Sequence, residues 1–321
     1  MSATARTWIA LATVYVVWGS TYLGIRVVVK TMPPLLAGGV RFMLAGSIMC
    51  AALAVKRGRG YLRVSRDELI GAALVGSLLV TGGNGVVMVA EQHVASGLAA
   101  LIMASIPLWV VLFRRVWGES IQPAVLAGVA IGFAGVALLV GPGANGGSSA
   151  GWLVVLVGAA FCWALGTFGA GRVEIPRDPL LATGWQMLLG GLLSLAIGLA
   201  VGEAADVRFS EFSSDSLWAF AYLVVFGSLV AFTAYTYLLQ NVPASKAATY
   251  AYVNPVIAVF LGWLILDESI TWLVVVAAAV IVSSVAVIVR HETTQEPEAA
   301  LVPAEGRSDG REGDEERAAV A

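Results

Sequence analysis

Residues 94–107, V-A-S-G-L-A-A-L-I-M-A-S-I-P, have a counterpart later in the chain at residues 242–255, V-P-A-S-K-A-A-T-Y-A-Y-V-N-P. The first valine, the paired alanines and the final proline recur in register. A second match joins P-L-L-A-G-G-V-R-F-M-L-A-G, which starts at Pro34, to P-L-L-A-T-G-W-Q-M-L-L-G-G, which starts at Pro179. Such self-similarity indicates an internal repeat that divides the chain into two halves.

The composition indicates an integral membrane protein. Of the 321 residues, 59% are hydrophobic and only 12% are charged, about half the charged fraction of a typical soluble domain. Apolar runs of about 20 residues, long enough to cross a bilayer, recur along nearly the whole chain. Bounded by charges, turn residues or polar loops, they predict an all-α polytopic fold with ten transmembrane helices, at 8–28, 35–55, 69–90, 95–113, 121–140, 151–171, 180–201, 217–239, 247–266 and 271–289.

Each half of the chain contains five predicted helices. Because five is odd, the second half enters the membrane from the opposite side, so the two repeats are inverted. We expect a first repeat over 1–142, a Gly/Ser linker at 143–150, a second repeat over 151–290 and a disordered, acidic cytoplasmic tail at 291–321. Inverted repeats around a site near the midplane of the bilayer are typical of secondary transporters.

Positive charge in the short loops predicts the orientation. With the N-terminus inside, the inner loops and flanks hold twelve basic residues and the outer loops hold two, Lys30 and Arg208. The first helix is too long for the core of a signal peptide and no convincing cleavage site follows it, so we expect it to remain as a membrane helix. The prediction is a multi-pass protein of the bacterial inner (plasma) membrane with both termini in the cytoplasm.

Nothing in the sequence favours an enzyme. Cys50 and Cys162 both lie in apolar runs, which argues against a disulfide or a metal site, and no spacing resembles a catalytic or phosphate-binding motif. We expect no cofactor, no metal and no nucleic-acid partner. The expected partners are the lipid bilayer and a small-molecule substrate, with a homodimer left open. None of the ten predicted helices contains Asp or Glu, so proton coupling would need Glu91 or an acid at another helix end.

Five motifs together resemble the drug/metabolite transporter superfamily, specifically its EamA-type bacterial exporters. They are W-G-S-T-Y from Trp18, P-P-L-L-A-G-G-V-R-F from Pro33, the 95–107 segment, Gly118-Glu119, and T-Y-A-Y-V-N-P from Thr249. The resemblance spans residues 8–289. It implies two five-helix repeats and transport of small solutes, with a central cavity formed by helices one to four and six to nine and with helices five and ten outside. It does not imply a substrate.

The first predicted helix has two faces. Trp18, Tyr22 and Arg26 are spaced four residues apart and form one helical stripe. Ser20 and Gly24 lie on another side as a pair of small residues suited to close helix packing. Two interpretations of Arg26 remain open: it extends to the membrane surface, or it forms a cationic rim at the outer mouth of a cavity.

Arg41 lies about two turns into the second predicted helix, at a depth similar to that of Arg26. A buried membrane arginine must be paired or solvated, and Glu91 at the outer end of the third helix is the available carboxylate. A pair between Arg41 and Glu91 that locks two helices and a contact between Arg41 and the substrate are equally compatible with this pattern. The repeat mate of Arg41 is Gln186, so the predicted cavity is not symmetric in charge.

Prolines in the fourth and ninth helices mark further candidates. Each removes a backbone hydrogen bond, which is tolerated where the freed carbonyl faces a cavity or a polar neighbour. The candidates around these helix breaks, Pro107 and Pro255, are Tyr250, Tyr252 and Asn254, and the weaker ones elsewhere are Asn84, Trp163, Thr167 and Tyr235. Aromatic and amide groups of this kind suit amphipathic solutes that carry an amine, a carboxylate or a ring.

These features predict a secondary transporter that exports small metabolites, such as amino acids or related aromatic compounds, by alternating access. An importer or exchanger with the same fold is the first alternative, because the architecture fixes the path and not the direction. A membrane protein that does not transport, such as a sensor or assembly factor, is the second, and it predicts a soluble signalling domain.

Overall fold

The computed structural model describes residues 2–141, 150–242 and 249–293, and in these ranges the chain is helical and contains no strand. Ten long helices follow one another: α1 Ala3–Val28, α2 Pro34–Arg57, α3 Arg66–Ala90, α4 Ser96–Val116, α5 Pro123–Val140, α6 Ala150–Ala170, α7 Pro179–Ala200, α8 Ser214–Leu238, α9 Tyr250–Leu266 and α10 Trp272–Thr293. Nine of them are long and apolar enough to cross a membrane, and α9 is a shorter apolar helix.

The ten helices confirm the all-α, ten-helix prediction, with ends that differ from it by a few residues. The start of the predicted ninth helix, most of the predicted linker and most of the predicted tail lie outside the described residues. α4 is interrupted as predicted: the break lies at Ala104 and Ser105, between segments Ser96–Met103 and Ile106–Val116, and Pro107 is in the first turn of the second segment. Pro255, its repeat mate, was also predicted to interrupt a helix, but α9 runs through it without a break.

Proline and short polar side chains start several of these helices. Pro34, Pro123 and Pro179 each occupy the first helical position, where the missing N–H costs nothing. The Asp178 side chain accepts hydrogen bonds from two backbone amides at the start of α7. Ser65 and Glu68 form a reciprocal capping box at the start of α3. Local sequence therefore determines where these helices begin.

Glycines bring α7 very close to α2 and α3. A Cβ atom built on Gly190 of α7 would lie 2.3 Å from the carbonyl oxygen of Gly76 in α3. One built on Gly39 of α2 would lie 2.8 Å from the carbonyl oxygen of Gly191 in α7. Small residues are what allow helix backbones to approach this closely in a membrane. The two halves of the chain are thus packed together through backbone contacts.

Helices α5 and α10 pack against each other at one side of the bundle. The Ser284 hydroxyl of α10 donates a hydrogen bond of 2.6 Å to the carbonyl oxygen of Gly128 in α5, and Gly135 of α5 lies against Ile281. This pairing joins the last helix of each half.

Two loop carboxylates of the second half cap helices of the first half. Glu203 accepts hydrogen bonds from the backbone amides of Leu35 and Leu36 at the start of α2, at 3.2 and 2.9 Å. Glu268 accepts them from Ser96 and Gly97 at the start of α4, at 2.7 and 3.0 Å. A carboxylate satisfies free amides at a helix N-terminus and is favoured by the helix dipole. Both caps join the halves on the face predicted to be outer.

Replacing Glu203 by alanine should lower the stability of the protein. The amides of Leu35 and Leu36 would lose their acceptor, which costs about 1 kcal/mol. Thermal unfolding of the purified protein in detergent measures this as a lower midpoint. Glu211→Ala in the same loop is the control, because Glu211 forms only an exposed pair with Arg208. Equal midpoints for the two variants would show that the cap contributes nothing.

Candidate functional site

A cavity of about 120 Å³ lies between the two halves of the chain. Helices α1, α2, α3 and α4 of the first half and α6, α8 and α9 of the second contribute its walls. Its volume is below the range of pockets that bury drug-sized ligands, roughly 300–1,000 Å³. In this conformation the cavity therefore has room only for a small group, and a larger solute requires the walls to separate.

The walls include nine of the residues predicted from the sequence. These are Trp18, Tyr22, Arg41, Asn84, Pro107, Trp163, Tyr250, Asn254 and Pro255. The structure brings them together from six helices, although their role toward a solute stays a prediction. The wall residues not predicted from the sequence are Thr21, Ile25, Phe42, Val87, Ala100, Met103, Ala104, Ile106, Gly227, Phe232 and Ala251.

Six predicted residues lie outside the cavity wall: Arg26, Glu91, Thr167, Gln186, Tyr235 and Tyr252. The expected contribution of helix seven is also wrong, since no wall residue belongs to α7. The reason is its close packing: the backbone of Gln186 lies directly against Gly76 of α3. The Thr167 hydroxyl donates to the carbonyl oxygen of Trp163 in its own helix, at 2.9 Å.

An aromatic cluster surrounds Trp18. The rings of Phe232, Tyr235 and Tyr250 each lie 5.1 Å from the Trp18 ring, centroid to centroid, in edge-on or tilted orientations. Aromatic pairs favour these geometries. The Trp18 indole N–H donates a hydrogen bond of 3.2 Å to the carbonyl oxygen of Gly227 in α8. The indole is thus fixed in place with part of its surface on the cavity.

Arg41 is 3% exposed and is one of the residues of the cavity wall. Its Nε donates a hydrogen bond of 3.1 Å to the Ser228 hydroxyl of α8, and its guanidinium lies over the Phe42 ring at 4.5 Å. The Nη1 nitrogen is buried without a hydrogen-bond partner. Arg41 is the one charged residue among the described residues of the wall.

The predicted pair between Arg41 and Glu91 is not formed. The described ion pairs do not include it, and neither oxygen of the Glu91 carboxylate has a hydrogen-bond partner. Arg41 instead reaches Ser228, because α8 packs beside α2 at this depth. The sequence carried no signal for Ser228, which lies in an otherwise apolar run.

Arg26 has a partner that neither interpretation from the sequence included. It is half-buried, does not line the cavity, and donates a hydrogen bond from Nη1 to the backbone carbonyl oxygen of Glu91. That carbonyl lies at the end of α3, where helix carbonyls lack partners in the helix. The stripe of α1 therefore divides: Trp18 and Tyr22 face the cavity, and Arg26 caps the end of α3.

The other side of α1 packs as predicted. A Cβ atom on Gly24 would lie 3.0 Å from the Leu223 side chain of α8. The Ser20 hydroxyl forms a 2.6 Å hydrogen bond with that of Tyr222. These contacts confirm the small-residue packing face.

Two repeat-related helices, α3 and α8, contain π-helical segments at the cavity. Ser77–Gly85 of α3 includes Asn84, and Leu223–Val230 of α8 includes Gly227 and Ser228. π-helical turns inside α-helices occur frequently at functional sites. Here the segment of α3 places Asn84 in the cavity wall, and the segment of α8 places the carbonyl oxygen of Gly227 beside the Trp18 indole.

Asn254 is buried in the wall on α9, one residue before Pro255. With its amide oriented to satisfy its neighbours, the nitrogen donates to the carbonyl oxygens of Tyr15 and Tyr250, at 3.2 and 3.3 Å. Nearby, the hydroxyls of Tyr15 and Thr249 are hydrogen-bonded to each other. These polar contacts join α1 to α9 beside the cavity. In the described part of the chain, no cluster of His, Cys, Asp or Glu is suited to hold a metal ion.

The EamA-like transporter family matches residues 6–141 and 150–290. The chain belongs to this family. Its relatives include YedA of Escherichia coli K12, described as an uncharacterized inner membrane transporter, which is 38% identical over 280 residues, 87% of this chain and 89% of YedA. A WAT1-related chloroplastic protein of Arabidopsis thaliana is 29% identical over 283 residues, 85% of this chain and 67% of that protein.

A solved structure, described only as the crystal structure of a protein, shares the fold with a TM-score of 0.61 at 20% sequence identity. The alignment covers 91% of this chain and 99% of that one. The protein is therefore a multi-pass membrane transporter of the drug/metabolite type, with the fold of two five-helix repeats.

Proposed function

We propose that this transporter exports small solutes that carry a ring and a carboxylate, such as amino acids or related aromatic compounds, by alternating access across the bacterial inner membrane. The observation that carries the proposal is the Arg41 guanidinium, buried in the cavity wall with Nη1 unpartnered. A buried charge needs a compensating partner. An anionic group of the solute supplies one, with a charge-assisted hydrogen bond.

The aromatic cluster supports the presence of a ring in the proposed solute. Trp18, Phe232 and Tyr250 all contribute to the cavity wall and offer ring surfaces to an apolar or aromatic group of the solute. Asn84 adds an amide to the wall. A solute with a carboxylate on Arg41 and a ring on this cluster would contact both halves of the chain, and such contacts link binding to the movement of the halves.

The inner-membrane location and outward direction rest on separate support. The YedA relative is described as an inner membrane transporter, and the basic residues of the short loops favour cytoplasmic termini. The cavity serves import equally well. Comparing the metabolites released by cells with and without the protein tests the direction: accumulation outside supports export, and depletion from the medium supports import.

Counterflow of radiolabelled phenylalanine in vesicles that contain the purified protein tests the solute class. 3-Phenylpropionate, which keeps the carboxylate, should inhibit the counterflow, whereas phenethylamine, which keeps only the amine, should not. Arg41 attracts an anion and repels a cation, which is the physical reason for the expected difference. Stronger inhibition by phenethylamine would contradict the proposed carboxylate contact.

Trp18→Ala should reduce phenylalanine counterflow about tenfold, since an aromatic pair and the buried ring area together contribute over 1 kcal/mol. Trp18→Phe should retain most of the flux, because it keeps a ring on the cavity and loses only the donor to Gly227. Equal losses in both variants would assign the role of Trp18 to its hydrogen bond and not to stacking.

A further inference from the structure

Glu91 follows the last residue of α3 and is 0% exposed, and it is the one buried acidic side chain in the described part of the chain. Neither carboxylate oxygen has a hydrogen-bond partner. An ionised carboxylate without partners is very unfavourable in a buried site at the edge of a membrane, whereas a neutral carboxylic acid costs far less. The surroundings of Glu91 therefore favour its protonated form.

The two guanidiniums in electrostatic range of Glu91 are both engaged elsewhere. Arg26 donates to the backbone carbonyl oxygen of Glu91 and not to its carboxylate. Arg41 donates through Nε to Ser228, and its Nη1 is unpartnered. Neither arginine forms an ion pair with the Glu91 carboxylate within 4 Å. An ionised Glu91 would have no direct hydrogen-bond or ion-pair partner in this conformation.

A second carboxylate in range, Glu268, has the opposite environment. Its two oxygens accept hydrogen bonds from the backbone amides of Ser96 and Gly97 at the start of α4. Those donors and the helix dipole stabilise the charged form. The Glu268 carboxylate thus has direct donors and the Glu91 carboxylate has none, and a like charge in electrostatic range further disfavours ionisation of Glu91.

Burial raises the pKa of Glu91 well above its usual value; Glu268 raises it further, while Arg26 and Arg41 oppose the shift. The Tyr22 hydroxyl of α1 is also within electrostatic range. His93, two residues along the chain, has its ring stacked on Trp152 at 4.3 Å. These groups come from α1, α2, the segment after α9 and the chain beside Glu91 itself.

We propose that Glu91 is a proton-binding site linked to the cavity through Arg41, so that the transporter carries a proton together with a carboxylate-bearing solute. The link to the solute rests on the proposed function. When Glu91 is ionised, it attracts the guanidinium of Arg41 and competes with the solute carboxylate for it. When Glu91 is protonated, Arg41 is available to the solute. The proton enters from the aqueous phase on one side and leaves to the other.

Infrared spectroscopy of the full-length protein in lipid tests the proton-binding site without any solute. At pH 7 the wild-type protein should show the carbonyl stretch of a protonated carboxylic acid, and Glu91→Gln should lack it. Glu203→Gln is the matched control, since Glu203 also contacts helix amides and should keep the band. Absence of the band from the wild-type protein at pH 7, or its persistence in Glu91→Gln, would overturn the site.

Should Glu91→Gln fail to insert into the membrane, Glu91→Asp provides the second variant. It keeps a titratable group one carbon shorter, so the carboxylic acid band should remain and move in frequency. A band at the wild-type frequency in Glu91→Asp would come from another residue and would overturn the assignment to Glu91.

Vesicles loaded with phenylalanine and a pH-sensitive dye test the link to transport. Efflux of phenylalanine should carry protons out and raise the internal pH. Glu91→Gln, which resembles the protonated state, should still release phenylalanine, with no more change of pH than in vesicles without protein. Efflux from the wild-type protein with no change of pH, or with acidification inside, would overturn the co-transport while leaving the proposed function intact.

Failure of the proposed function gives a different result. In that case phenylalanine does not leave the vesicles at all, and the infrared band alone decides whether Glu91 binds a proton.

Discussion

Arg41→Ala should reduce phenylalanine counterflow about 10- to 100-fold, because a charge-assisted hydrogen bond to a solute carboxylate contributes about 1.5–3 kcal/mol. Arg41 is the one charged side chain in the described wall of the cavity, and its Nη1 has no protein partner to replace. Membrane insertion should be retained, since the residue forms only a hydrogen bond to Ser228 and a contact with the Phe42 ring. The elution profile of the purified variant verifies this.

Two further variants test whether the loss of flux is specific to the guanidinium of Arg41. Arg41→Lys keeps the charge but loses the planar donor fork, so its flux should lie between those of the wild type and Arg41→Ala. Arg208→Ala removes an exposed arginine in a loop and should leave the flux unchanged. Wild-type flux in Arg41→Ala would exclude a substrate contact and leave Arg41 with a structural role in joining α2 to α8.

Gly190→Ala should cause a large loss of stability at the interface of the halves. The new methyl group would lie 2.3 Å from the carbonyl oxygen of Gly76 and 2.7 Å from the Val80 side chain. The close neighbour is helix backbone, which cannot change rotamer, so α3 and α7 must separate. Overpacking of this kind costs about 1–3 kcal/mol, occasionally more.

Thermal unfolding in detergent measures the effect, with Gly158→Ala as the control. Gly158 lies in the middle of α6 and a Cβ atom there meets nothing within 4 Å. Alanine should therefore be neutral or slightly stabilising at this position, because it has the higher helix propensity. Similar midpoints for the two variants would contradict the close backbone contact of α3 and α7.

Residues of the site were predictable where aromatic or polar side chains stand out from an apolar helix, because their spacing then indicates which face of the helix points inward. Trp18 and Tyr22 lie four residues apart and both reach the cavity. Asn254 and Pro255 were identified from a polar residue and a proline within an apolar helix. The side of α8 that faces the cavity was not predictable, because Gly227 and Phe232 do not differ in type from the lipid-facing residues around them. Tyr235, chosen from that helix, instead supports Trp18.

Charged side chains show most clearly what could not be predicted from the sequence. The depth of Arg26, Arg41 and Glu91 followed from their distance to the helix ends, but their partners did not. Arg26 contacts the backbone carbonyl oxygen of Glu91 and Arg41 a hydroxyl of α8, so the Glu91 carboxylate has no hydrogen-bond partner. A guanidinium has several donors and a long side chain, so small rotations of a helix change which acceptor it meets.

The sequence by itself determined the membrane class, the ten helices and their division into two inverted repeats, because hydrophobic length and internal similarity are properties of the chain. It also determined several helix starts, through local prolines and capping side chains. Only the tertiary structure decided which helix faces form the cavity, that α7 is excluded from it, and which charges remain unpaired. Those outcomes depend on backbone contacts between glycines far apart in the sequence and on the rotation of each helix about its axis. The local sequence of a single helix determines neither of these.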